Sequence, residues 1–151
     1  MFLRLLSVFF LVALSAIPAS AGDPFNGKWR LEQSKAKITG AHVRAIEIEA
    51  AESEAKFVYQ GVDAEGQPVE WQIRTSIGGN LSGVIDVPWL DAVKCWRSDS
   101  RTVLIKLFRS AVNIGFDTME LSKDGKSLRL THAMLDAKGK EIKTITSFAK
   151  Q

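Results

Sequence analysis

Cysteine is nearly absent: the 151 residues hold one, Cys95, so no internal disulfide can form and no cysteine cluster can hold a metal. A lone thiol in an exported chain reads as a small buried hydrophobe, with pairing to another molecule as the sharper alternative. Histidine is scarce too, and His42 and His132 stand too far apart to match any recognised metal spacing, so neither a metal nor a cofactor is expected. A bias toward charge of one sign is lacking. The 20 Lys and Arg against 17 Asp and Glu are spread evenly, which argues against a nucleic-acid or membrane-surface partner. No nucleophile signature such as Gly-x-Ser-x-Gly occurs. Beyond Ala21 there is no long hydrophobic run and no sustained helical periodicity; Ala50 to Ala55 is rich in Ala and Glu but too short to stand as a helix.

What is present begins with an export signal. Arg4 gives a short positive leader, Leu5 to Ile17 is almost unbroken apolar sequence, and Pro18 to Ala21 ends it with small residues. This is the layout of a cleavable signal over 1–21, with cleavage after Ala21. A membrane anchor would need a run of about 20 apolar residues, so no stable span is expected after cleavage. The protein is therefore expected to be exported, periplasmic or extracellular. Its mature domain, 22–151, loses Arg4 and no acid, leaving 19 basic and 17 acidic residues and a net charge of +2. A single domain of this size buries about two thirds of its unfolded surface and needs no covalent staple.

The mature chain alternates strands and turns from end to end. Gly27 to Leu31 reads as a first strand, and a polar connection from Ser34 to Gly40 leads to a second over Val43 to Glu49. Phe57 to Gln60 follows, closed by a turn at Asp63 to Gly66. In Val69 to Thr75 the apolar Val69, Trp71 and Ile73 alternate with Glu70, Gln72 and Arg74, the period of two that marks a half-buried strand. Leu81 to Val87 is a weaker strand, limited by Pro88. Ala92 to Arg97, Arg101 to Arg109, Val112 to Leu121, Ser127 to Leu135 and Glu141 to Lys150 complete the set. The strongest hairpin signal is the turn at Lys123 to Lys126, whose Asp-Gly pair suits a type I′ turn. Short strands at regular short spacing predict an all-β fold, an antiparallel up-and-down β-barrel of about 8–10 strands.

Gly27-Lys28-Trp29 carries the most local information, since a Gly before an aromatic lets the chain approach closely while an indole plugs a barrel end. The segment from Asp23 to Leu31 with Ser34 and Lys35, together with Gly61 to Val69, the Ser122 to Leu128 hairpin and the turn at Asp136 to Lys140, resembles small exported bacterial lipocalin-like proteins of the calycin type. The resemblance spans nearly all of the mature chain. It implies a barrel opening on a structural Gly27 and Trp29, with a basic residue late in the chain, Lys143 or Lys150, packed over the Trp29 ring. It names no activity, because those bacterial proteins are mostly of unassigned function; better-studied relatives of the fold bind small apolar ligands inside the barrel. Two features of intracellular fatty-acid carriers are missing. The final strand, Ile142 to Phe148, lacks their carboxylate-holding basic–Tyr pair, and Glu32 to His42 is too short for their two-helix lid.

Inward faces of such a barrel hold either packed side chains or one small ligand. The cavity candidates are Phe57, Tyr59, Trp71, Ile73, Val93, Cys95, Phe116, Leu130, His132 and Phe148, with Ile114 and Leu128 on the same inward faces. Arg44, Arg97 and Arg109 stand on otherwise apolar faces. A buried arginine requires a carboxylate partner or an anionic ligand, unless it reaches water at a strand end. The leading expectation is a barrel that binds a small apolar or amphipathic ligand, its acidic group met by one of these arginines. A second reading is a filled, rigid barrel acting through its surface as an interaction or envelope-associated module, with Trp89 and Leu90 forming an exposed patch. A third is acid–base chemistry inside the barrel, with His132 brought to Tyr59 or Asp117.

Overall fold

The computed structural model describes residues 22–32 and 40–151; the expected signal over 1–21 and the connection that begins at Ser34 lie outside the described residues. Every regular element among the described residues is a strand: β1 (Gly27–Leu31), β2 (His42–Ala50), β3 (Glu54–Val62), β4 (Pro68–Ser76), β5 (Leu81–Gly83), β6 (Ala92–Asp99), β7 (Thr102–Arg109), β8 (Val112–Leu121), β9 (Ser127–Leu135) and β10 (Glu141–Lys150). Alternation generates them. In β7, Val103, Ile105 and Leu107 are buried while Thr102, Leu104, Lys106 and Phe108 between them are partly exposed.

The strands form one antiparallel sheet in the order β4-β3-β2-β1-β10-β9-β8-β7-β6-β5. Sequence neighbours pair throughout except β4 and β5, and the first strand also pairs with the last. β1 and β2 flank the undescribed connection yet pair in register, and β1 also pairs with β10, Trp29 opposite Lys150. β4 and β5 share no ladder. Their gap is clipped by Thr75 Oγ1 donating to Ser82 Oγ at 3.0 Å, Gly79 N donating to Cys95 O at 2.8 Å, and a single parallel bridge between Ile77 and Cys95. The result is an up-and-down, nearly closed barrel of the lipocalin-like kind.

One end is sealed by the segment that precedes β1. Phe25 is buried, and its carbonyl accepts from Trp29 Nε1 at 2.9 Å. Asp23 pairs with Arg97, whose guanidinium lies over the Phe25 ring, 5.1 Å from its centroid. Lys150, rather than Lys143, covers Trp29: its Nζ sits 5.0 Å from the indole centroid and donates to Pro24 O at 3.2 Å. Gly27 makes room for that lysine, because a Cβ there would meet Lys150 Cε at 3.1 Å, and its φ of 132° disfavours any side chain.

Turn chemistry departs from expectation. The Lys123–Lys126 turn is not type I′, since only Gly125 has positive φ (68°) while Asp124 uses Oδ1 to accept from Lys126 N at 3.1 Å. The turn with both central residues at positive φ links β7 to β8 through Ser110 (48°) and Ala111 (62°). β5 is also shorter than predicted. After Gly83 the chain leaves the sheet as a loop that turns Val87 and Leu90 into the core, so Trp89 and Leu90 do not form the exposed patch expected of them: Leu90 is buried and Trp89 half-buried.

Candidate functional site

Strand register stacks inward residues into continuous rows. Trp29, Ile46, Tyr59 and Trp71 lie side by side across β1–β4, and Ile48, Phe57 and Ile73 form the next row. Phe148 and Leu128 meet Leu121, and Leu130 meets Met119 and then Val103. A further row runs from Thr144 through His132, Asp117 and Ile105 to Cys95. Of the cavity candidates, Phe57, Tyr59, Ile73, Val93, Cys95, Leu130 and Phe148 are buried, and Trp71 is half-buried beside them.

Phe116 is the correction. The inward positions of β8 are Gly115, Asp117, Met119 and Leu121, so Phe116 points outward, with Lys106 Nζ 5.9 Å from its ring centroid. A β-bulge that inserts Ile114 between the partners of Leu107 and Phe108 accompanies this parity, and Ile114 is half-buried rather than in the core. Gly115 stands where the strands crowd: a Cβ there would lie 2.3 Å from Ala133 O.

The shifted parity brings an acid inside. Asp117 is opposite His132 in register, and the imidazole Nδ1 donates to its carboxylate across 2.5 Å. The Asp117 side chain is 8% exposed and that of His132 36%, so the pair spans the boundary between core and solvent. The hydrogen bond to Asp117 raises the His132 pKa, burial opposes it, and the charge of Asp117 adds to the rise. With Nδ1 engaged, Nε2 is the free ring nitrogen. On the neighbouring inward face of β10, Ile142 is 61% exposed and Thr144 is also exposed. His132, Met134, Ile142 and Thr144 therefore form the solvent-facing part of the inner wall.

The opposite feature is an aromatic wall. Tyr59 and Trp71 stack with centroids 5.2 Å apart and planes 7° from parallel, and Trp89 meets Trp71 edge-on at 6.4 Å. The Tyr59 hydroxyl is buried without a hydrogen-bond partner. Burial pushes its pKa well above the usual tyrosine value, and the nearby Asp117 and Cys95 push it further. Cys95 is buried, and burial pushes its thiol up to about 12, with Arg97 opposing only in part.

The arginines are not at this site. Arg97 does share the inward face, but Asp23 satisfies it at the sealed end. Arg44 lies in the β2 bulge between Val43 and Ala45 and is exposed, as is Arg109 at the end of β7. No acidic ligand group is needed to explain any of the three. His42, at the start of β2, has its Nδ1 2.7 Å from Gly40 O. Among the described residues no group of three or more His, Cys, Asp or Glu is placed to hold a metal, and no helix is long and apolar enough to cross a membrane.

Three open grooves lie on the outside of the barrel. The largest, about 520 Å³, runs along Asn26, Glu47, Glu49, Glu54 and Arg74. Another, about 420 Å³, follows Glu32, Glu120 and Arg129, and the third, about 340 Å³, is lined by Trp96, Leu104, Phe116 and Lys143. None of the three touches Tyr59, Asp117 or His132. These features define a barrel with one plugged end and a polar dyad on its inner wall. No protein-family model matches the chain, and no curated protein matches it in sequence.

Proposed function

We propose that the protein is an exported, lipocalin-like binding protein that holds a small apolar or amphipathic molecule against the inner wall of the barrel. One observation carries the reading: a largely apolar interior contains the Asp117–His132 pair and a Tyr59 hydroxyl with no partner. Burying polar groups this way costs free energy that packing alone does not return, and a core built only for stability has no use for it. A ligand with an apolar body and a polar end, lying between the Tyr59–Trp71 wall and the dyad, makes use of both. Displacement of a fluorescent fatty-acid analogue, read together with quenching of the Trp71 and Trp89 emission, tests this. Absence of any saturable, displaceable binding at micromolar ligand refutes it. Export is tested separately by the mass of the protein recovered after expression of the full chain, with Gly22 expected as its first residue.

The third groove favours a second reading. Trp96, Leu104, Phe116 and Ala133 make an apolar strip on the outer face of β6–β9, which suits a surface interaction module. A barrel that binds no small molecule, yet loses a protein partner when Trp96 and Leu104 are changed to polar residues, would support that reading instead.

A further inference from the structure

Each pair of neighbouring strands around the barrel is joined by a ladder except β4 and β5. β4 runs for nine residues and β5 for three, so a long sheet edge meets almost no backbone partner. Few polar contacts cross this seam. Ser82 Oγ accepts from Thr75 Oγ1 at 3.0 Å and from Ser76 N at 3.3 Å. Further along, Gly79 N donates to Cys95 O at 2.8 Å, beside the Ile77–Cys95 bridge. The loop over residues 84–90 covers the rest: it buries Val87 and Leu90 and sets Trp89 edge-on to Trp71 of β4.

That loop is tied to one side only. Its neck is closed by Val84 N donating to Asp91 O at 2.8 Å. Asp91 is held in turn by the β7–β8 hairpin, donating from its N to Phe108 O and accepting from Ser110 N. Among the described residues no hydrogen bond joins the loop to β4; the contact there is the apolar edge of Trp89 on Trp71. A region with few backbone bonds and a detachable apolar contact opens at lower free energy than the laddered sheet around it.

We infer that the barrel opens sideways along the β4–β5 seam, the loop over residues 84–90 leaving β4 as a flap while the ladders on either side hold. Opening withdraws Val87, Trp89 and Leu90 from the core and uncovers the Trp71 end of the stacked Tyr59–Trp71 wall. On the ligand-binding reading above, on which this step alone rests, the seam is the way in. The room a ligand needs against the aromatic wall is then the room that those side chains give up.

Cys95 reports the opening. Its thiol is buried, and Ile77 flanks it across the seam. Ile77 N donates to Ser53 O at 2.7 Å, so Ile77 stays with the β3–β4 side and leaves Cys95 uncovered when the seam parts. A small maleimide is expected to label native Cys95 at least about tenfold faster than the global stability from urea denaturation permits. Ser82→Ala removes both hydroxyl clips, leaves the ladders in place, and is expected to speed labelling about fivefold beyond any change in global stability. Thr75→Cys with Ser82→Cys, oxidised to a disulfide across the seam, is expected to slow labelling of Cys95 to the rate set by global unfolding. Native labelling no faster than the global rate overturns the proposal, as does labelling that neither variant moves apart from global stability. Should the cross-link fail to form, the Ser82→Ala comparison decides alone. The entry route is tested with the fluorescent fatty-acid analogue: the cross-link is expected to slow its association at least about tenfold, and reduction to restore it. An unchanged association rate overturns the route and leaves the seam. Absence of binding to the protein without the cross-link overturns the ligand reading, while the seam stands on the labelling of Cys95.

Discussion

The Asp117–His132 pair makes a quantitative prediction about stability. Removing one partner of a fully buried pair costs about 3–5 kcal/mol, and exposed pairs are worth about 0–1 kcal/mol. Here the acid is buried but the imidazole is about one third in contact with solvent, so the gain must be discounted for screening. A double-mutant cycle with Asp117→Asn and His132→Asn should give a coupling of about 1–2 kcal/mol near pH 6. The sign with pH follows from the direction of the shift. The folded-state pKa of His132 lies above the ordinary 6.5, so the ionic part of the stabilisation is fully present below that value. It is lost as pH rises through the raised folded value. Once the ring is deprotonated only the hydrogen bond from the neutral imidazole to the carboxylate remains, and the coupling should be smaller. Urea denaturation of the four proteins across that range measures it. A coupling within about 0.3 kcal/mol of zero near pH 6, or one that grows with pH, would refute the assignment of this pair as an inward, partly buried dyad.

Other perturbations have equally definite outcomes. Ala111, at φ 62° in the β7–β8 turn, occupies a conformation that costs a non-glycine residue about 1–2 kcal/mol. Ala111→Gly should therefore stabilise the protein by about 0.5–1 kcal/mol after the larger loss of chain entropy, seen as a higher thermal midpoint. Phe25→Ala opens the sealed end, and at 1% exposure it should cost about 3–5 kcal/mol in a denaturant titration. Cys95, buried with its thiol pushed up to about 12, should react with thiol reagents near neutral pH only as fast as the barrel opens; prompt, stoichiometric labelling of the native protein would contradict its placement.

Most strands were legible in the sequence because one face is buried, and burial writes itself as alternation. Val69 to Thr75 shows this: Ile73 and Thr75 are buried while Glu70, Gln72 and Arg74 face water. The Gly27–Trp29 opening was legible for a similar reason, since an indole and a missing Cβ have few uses side by side. β8 misled because its inward face holds Gly115 and Asp117 while its outward face holds Phe116. Hydrophobicity points the wrong way there, and the bulge at Ile114 shifts the count besides. The candidate site sits where pattern and fold disagree, at an acid on the inward face of a strand whose aromatic points out. The arginines misled differently. A cation on an apolar face announces a partner but not which one, and Asp23, 74 residues away, carries no local sign of being it. Ser110 and Ala111 show no signature for their turn, since neither residue favours positive φ; the register of β7 against β8 imposes it.

The seating of β1 against β10 makes the polypeptide a ring in all but covalent terms: Gln151 N reaches Lys28 O at 2.9 Å. Begin the chain instead at Leu81, end it at Asn80, and join the old termini with a short linker, and every ladder now links strands consecutive along the chain. The pairing of Trp29 with Lys150 ceases to demand a search across the whole molecule. Nothing regular is severed, because the cut falls where no ladder runs. Such a rearranged gene product keeps every ladder of the native sheet, and it should reach the same architecture.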